Sequence, residues 1–253
     1  MLYIGVDLGT SAVKLLLMDG SGRIHKVVSR EYPLYFPHPG WSEQNPEDWF
    51  TASMDGMKEL TSECDKSQVA GISFGGQMHG LVTLDEADEV IRPAILWNDG
   101  RSEKETDYLN QTIGKDKLSA YTANIAFTGF TAPKILWMKK NEPENFARIC
   151  RIMLPKDYLA YRLSGSFCTD YSDASGMLLL DVAHKRWSEE MMEMCGITRK
   201  QLPDLYESYQ VVGNLKEELA KELLDYVLAV ASGRKVKSEE AGFHDMAIFK
   251  QGV

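Results

Sequence analysis

Three short segments of this 253-residue chain carry side chains suited to phosphate and polyol chemistry. The first is Asp7-Leu8-Gly9-Thr10-Ser11. A glycine turn here lets backbone N–H groups and the hydroxyls of Thr10 and Ser11 face a phosphate. Asp7 can hold Mg2+ through water, and Lys14 adds a point charge near a transferred group. The same residues also make an ordinary hairpin turn, and D-x-G-T alone does not separate the two readings. The second segment is Gln77-Met78-His79, within a glycine-rich stretch at 75–80. A thioether packs a carbon chain and an imidazole bonds hydroxyls, but a histidine after a strand also serves purely structural ends. The third is Trp97-Asn98-Asp99-Gly100-Arg101. Its aromatic face can cover C–H surface while Asn98 and Asp99 take hydroxyls. The alternative is a core tryptophan followed by an Asp99–Arg101 surface pair.

These segments need strands and turns to position them. Apolar runs at 3–9, 12–18 and 24–30, split by turns at 9–11 and 19–22, predict an antiparallel meander. Asn45-Pro46-Glu47 is a helix start, with Asn as N-cap and Pro in the first position, and the helix is expected to reach about residue 62. A buried strand is expected at 67–74, followed by the glycine-rich turn and another strand at 81–84. Helices are expected at 101–112, 132–140, 155–163, 187–195 and 214–224, the third of these framed by Pro155 and Gly165. Strands leading and helices following indicate an α/β fold with a mixed sheet. The stretch 1–230 reads as one domain, and 231–253 as an atypical tail with irregular packing.

A net charge of −9 argues against a broad nucleic-acid surface, although oriented backbone N–H groups can still make a local anion pocket. Cys64, Cys150, Cys168 and Cys195 form no C-x-x-C pair, so reduced thiols in a cytoplasmic protein are expected. No segment approaches the roughly 18 apolar residues of a membrane span. Met191, Met192 and Met194 read as core filler, and Glu217, Glu218 and Lys221 as a solvated helix face.

The order of several segments resembles xylulokinases of the FGGY family of carbohydrate kinases. I-G-V-D-L-G-T-S (4–11) is similar to the first phosphate motif that sugar kinases share with actin and chaperone ATPases. H-P-G-W-S-E-Q-N-P-E-D-W (38–49), G-Q-M-H-G (76–80), R-P-A-I-L-W-N-D-G-R (92–101) and G-F-T-A-P-K-I-L-W (129–137) extend the likeness, as do L-P-K-D-Y-L (154–159) and S-D-A-S-G (172–176). The resemblance implies a ribonuclease-H-like mixed sheet with flanking helices. It also implies ATP and Mg2+ as cofactors and transfer of a phosphoryl group to D-xylulose or a related ketopentose. On that likeness Asp7 is the metal residue, and Gly9, Thr10, Ser11 and Lys14 bind the phosphates. Gln77, Met78, His79, Trp97 and Asp99 contact the sugar. Lys134 and Trp137 fit the family's signature spacing, yet on a helix among Ile135, Leu136 and Met138 they read as packing.

The likeness also fails in places. Where the family continues into a Gly-Gly-Gly-Asp-Asn-type turn whose Asp is the catalytic base, this chain has Ala229-Val230-Ala231-Ser232-Gly233-Arg234-Lys235, and the next Asp is Asp245. No catalytic residue is therefore assigned, since a sugar hydroxyl needs a positioned carboxylate to take its proton. The family's C-terminal domain has no counterpart either. A truncated product, one chain of a split kinase whose partner is the missing C-terminal half, and a non-catalytic pentulose-binding module all stay open. A homodimer is a further possible partner state.

Overall fold

The computed structural model describes residues 1–224 and 247–250. Strands β1 (Leu2–Leu8), β2 (Ala12–Asp19) and β3 (Ile24–Glu31) form the expected antiparallel meander. Their alternation puts Ile4, Val6, Leu8, Val13, Leu15 and Leu17 into the core, with Asp7 and Lys14 outside. Helix α1 (Pro46–Thr61) starts where its cap residues place it, with the Asn45 side chain accepting from the Glu47 amide at 3.3 Å. Strand β4 (Val69–Gly76) then joins β1 in parallel, so Gly75 and Gly76 belong to the strand and the turn begins at Gln77.

Helix α2 (Thr131–Asn141) lies in the second half of the chain. Helix α3 (Pro155–Ser164) is closed by Gly165 at φ 77°, and α4 (Tyr171–Ser175) is a short segment after it. Strand β5 (Val211–Asn214), helix α5 (Glu217–Leu224) and strand β6 (Ala247–Lys250) follow. The main sheet runs β5-β6-β4-β1-β2-β3, with β1, β4 and β6 mutually parallel and the other pairings antiparallel.

Two expectations change. The helix expected over 101–112 is Glu103–Asp107, continued by a π-helical stretch Tyr108–Gly114 and then Lys115–Thr122. Gly114, at φ 100°, sits at the break. Within the tail expected to be irregular, Ala247–Lys250 instead pairs with β4 and β5. The run Ala-Ile-Phe-Lys has strand-forming composition, and the β4 edge leaves backbone groups that such a run can satisfy. The expected boundary at residue 230 lies outside the described residues.

One hydrophobic cluster joins the main sheet to α1, α3 and α5, and a second gathers around α2. The first is tight at Gly56, where an added Cβ would stand 2.4 Å from Leu15 Cδ1. Alanine gains about 1 kcal/mol over glycine in a helix interior, whereas overpacking a core costs about 1–3 kcal/mol. Because Leu15 is fully buried, Gly56→Ala is expected to lower the thermal midpoint by about 2–4 °C, roughly 1 kcal/mol in a chain of this size. A raised midpoint in a calorimetric scan would contradict this packing.

Among the described residues no helix is long and apolar enough to cross a membrane. Burial pushes the Cys195 thiol up to about 12.

Candidate functional site

The phosphate-type turn sits where β1 ends beside parallel β4, the end of a parallel pair at which α/β sheets commonly hold ligands. The Gly9 amide donates to the Ala12 carbonyl at 3.0 Å, and a Cβ on Gly9 would meet that oxygen at 2.9 Å. This close approach requires glycine. The Tyr32 hydroxyl donates to the Gly9 carbonyl. Burial first, and the Asp7 charge second, push the Tyr32 phenol up, so it remains a donor. Asp7 and Lys14 are register partners and therefore neighbours on one face, both exposed, while Gly75 across from Asp7 adds no side chain. A carboxylate, an ammonium and a hydroxyl-bearing turn thus share one open strand end.

The sugar-type turn adjoins it. The Gln77 amide donates to the Leu8 carbonyl at 2.7 Å, joining the ends of β4 and β1. Gln77 is buried, and its Nε2 donates to Gln44 Oε1 at 3.0 Å, leaving its own Oε1 without a protein donor. Gln44 in turn donates to the Thr10 carbonyl at 2.7 Å and accepts from Trp49 Nε1 at 3.1 Å. A single amide side chain therefore ties the two turns together.

His79 has φ 64°, and the Gly80 amide donates to the Met78 carbonyl at 2.8 Å. That is a γ-turn of the positive-φ kind, a strained conformation for a histidine. Its ring lies 4.7 Å from that of Phe130, and its Nδ1 is buried against Gly176 without a well-formed protein hydrogen bond. Burial, and then the Lys134 ammonium, hold the imidazole below its ordinary range and therefore neutral at pH 7. A neutral imidazole can both donate to and accept from hydroxyls.

Trp97 is 47% exposed, and its Nε1 donates to Thr10 Oγ1 at 3.0 Å, which brings the third motif onto the first. Asp99 behaves differently. It is buried, accepts from the Ser42 amide at 2.6 Å, and is chelated by Arg101 Nε at 2.8 Å and Nη2 at 2.7 Å. Arg101 lies against the rings of both Trp41 and Trp137 and pairs with Glu43 at 2.7 Å. Asp99 was expected to meet a sugar hydroxyl; its two oxygens are instead taken by protein donors. Nor is the Asp99–Arg101 pair on the surface, as the other sequence reading had it.

Four further residues shape the site. Gln44 and Tyr32 brace the phosphate turn, while Lys134 and Thr131 hold the His79 carbonyl, each at 3.1 Å. Gln44 and Lys134 fall within segments that carry the family likeness, but periodicity gives them no distinguishing signal. Among the described residues, no three His, Cys, Asp or Glu side chains gather to hold a metal ion. A single Asp7 carboxylate beside a glycine turn fits a hydrated Mg2+ shared with phosphate oxygens better than an all-protein cage.

Residues 2–235 match the N-terminal domain of the FGGY family of carbohydrate kinases. The chain belongs to this family. It is 43% identical over 220 residues to the xylulose kinase of Escherichia coli (strain K12), covering 87% of this chain and 45% of that protein. It is 46% identical over 224 residues to the xylulose kinase of Lactococcus lactis subsp. lactis (strain IL1403), covering 87% and 44%. Among solved structures, the xyloylose kinase from Brucella ovis matches with a TM-score of 0.85 at 37% identity, over 100% of this chain and 48% of that one. This FGGY-family chain thus spans about half the length of the curated relatives it matches. Its solved neighbours are sugar kinases, and the fold is the ribonuclease-H-like one of the actin and hexokinase ATPases.

Proposed function

We propose that this FGGY-family chain is the sugar-binding half of a kinase that uses ATP and Mg2+ to convert D-xylulose to D-xylulose 5-phosphate. The observation that carries this reading is the Trp97 indole on the Thr10 hydroxyl, which joins a sugar-facing aromatic directly to the phosphate turn. The names of the relatives support a pentulose. Phosphoryl transfer demands mostly positioning and charge stabilisation, and a shared edge between the acceptor and phosphate sites supplies the positioning.

In this reading Met78 packs the carbon chain, His79 bonds hydroxyls, and the Gln77 Oε1 accepts one. Trp97 covers C–H surface. Gly9, Thr10, Ser11 and Lys14 face the phosphates. Asp7 would hold the hydrated Mg2+, which supplies charge neutralisation when bound. Asp99 positions Trp97 from behind by fixing the backbone of its segment. The base that takes the sugar proton is proposed to come from outside the described residues, since Asp99 is committed to Arg101 and Ser42. The working state would then include a C-terminal half, in the cytoplasm, where thiols stay reduced.

Calorimetric titration of the purified chain with D-xylulose, followed by an ADP assay with ATP and Mg2+, tests this. Saturable sugar binding with negligible turnover is expected. Absence of sugar binding removes the assignment of the pocket, and robust ADP formation removes the assignment of the base to another segment.

A further inference from the structure

Lys134 is fully buried, yet it sits in the first turn of α2, the end of a helix whose dipole disfavours a cation. Burial pushes its ammonium down to about 7. A lysine in such surroundings is expensive unless its donors are used, and here all go to backbone carbonyls. Its Nζ donates to the His79 carbonyl at 3.1 Å, to that of Phe130 at 3.3 Å, and to that of Gly129. The Thr131 hydroxyl donates to the same His79 carbonyl at 3.1 Å. The residue so clamped is the one held at φ 64° in the γ-turn, and Phe130, whose own carbonyl Lys134 holds, carries the ring against the imidazole.

We propose that Lys134, with Thr131, is a positioning residue that holds the strained His79 turn and thereby aims the imidazole at the sugar. A strained turn persists only when its surroundings over-determine it, and two donors on one carbonyl do so. The group acts from behind the turn and does not touch the substrate. This inference rests on the pentulose reading for its ligand, though not for its geometry.

The test compares the wild-type chain with Lys134→Met and Thr131→Val, using D-xylulose calorimetry and nitrogen-15 NMR of the His79 ring. Lys134→Met is expected to weaken D-xylulose binding at least about tenfold, the scale of an anchoring hydrogen bond to a charged group. Thr131→Val, nearly isosteric, is expected to weaken it about threefold. In both, the His79 ring signals shift without added sugar, and in Lys134→Met the His79 titration midpoint rises because the nearby positive charge is gone. A purely structural clamp would change stability and leave the ring signals of folded Thr131→Val, which keeps the Lys134 charge, in place. Should Lys134→Met fail to fold, Thr131→Val decides. Wild-type binding with unchanged affinity and unchanged ring signals in the folded variants overturns the proposal. If wild-type protein does not bind D-xylulose, the pentulose reading fails, and the ring signals of the sugar-free variants still decide the role of Lys134.

Discussion

Lys156→Met is expected to destabilise the fold by about 3–5 kcal/mol, the cost of removing one partner from a buried ion pair. Lys156 is buried at the start of α3, with its Nζ 2.5 Å from Asp170, 2.9 Å from Asp173 and 3.3 Å from Asp157. Burial alone would push this ammonium down. The carboxylates of Asp157, Asp173 and Asp170 outweigh it and hold the group well above the ordinary lysine range. Methionine fills much of the volume but leaves three buried carboxyl groups with no cation among them.

The pH dependence follows from Asp173, whose carboxyl burial already raises, with Asp170 raising it further against the pull of Lys156. Without Lys156 it rises more. A carboxyl whose folded-state pKa lies above its unfolded value takes up a proton on folding, so stability is lost as pH rises through that window. The deficit of Lys156→Met should therefore be larger at pH 7.5 than at pH 5.5. Urea unfolding followed by circular dichroism at both values measures it. A variant as stable as wild type at pH 7.5 would show that the cluster is not the buried network described here.

Gly176→Ala is expected to reduce D-xylulose affinity about as much as His79→Ala does, by about 10–100-fold, or 1.4–2.7 kcal/mol. Gly176 has φ −79°, which any residue adopts, so alanine meets no backbone penalty. Its Cβ, however, would stand 2.3 Å from His79 Cε1 and 2.5 Å from Nδ1. The ring has little freedom to move, because Phe130 packs 4.7 Å from it and the carbonyl of its turn is clamped. The loss should therefore come from displacing the imidazole, with stability little changed. The affinity of the wild-type chain should fall as pH drops below the ordinary histidine range, near 6.5, because burial and Lys134 keep His79 neutral above it. Calorimetric titrations of both variants and a wild-type pH series check these points. A Gly176→Ala chain that binds normally would mean that His79 does not meet the sugar in the orientation seen here.

Both expectations concern residues that sequence reading left without a role. Lys156, Asp157 and Asp173 belong to quoted segments of the family likeness, but no periodicity says that α3, α4 and the short strand Cys168–Asp170 converge on one ammonium. Gly176 ends the quoted S-D-A-S-G segment, and only the folded chain sets it against His79, 97 positions earlier in the sequence.

The features legible along the chain are local. Alternating apolar runs made the β1-β2-β3 meander, Asn45 and Pro46 started α1, and Pro155 with Gly165 framed α3, because caps, turns and period-two burial act within a few residues. The glycine turn at 9–11 and the Gln77-Met78-His79 turn were also legible, since such turns depend on their own residue types. Everything that depends on distant partners was set by the packed chain. It drew Asp99 into the Arg101 pair and away from the site, set Trp97 on Thr10, made Gln44 the link between the two turns, and turned Lys134 from apparent packing into the clamp of His79. Hydrogen bonds and ion pairs of buried groups are satisfied wherever the fold happens to supply a partner. Their identity is a property of the packed chain, not of any window along it.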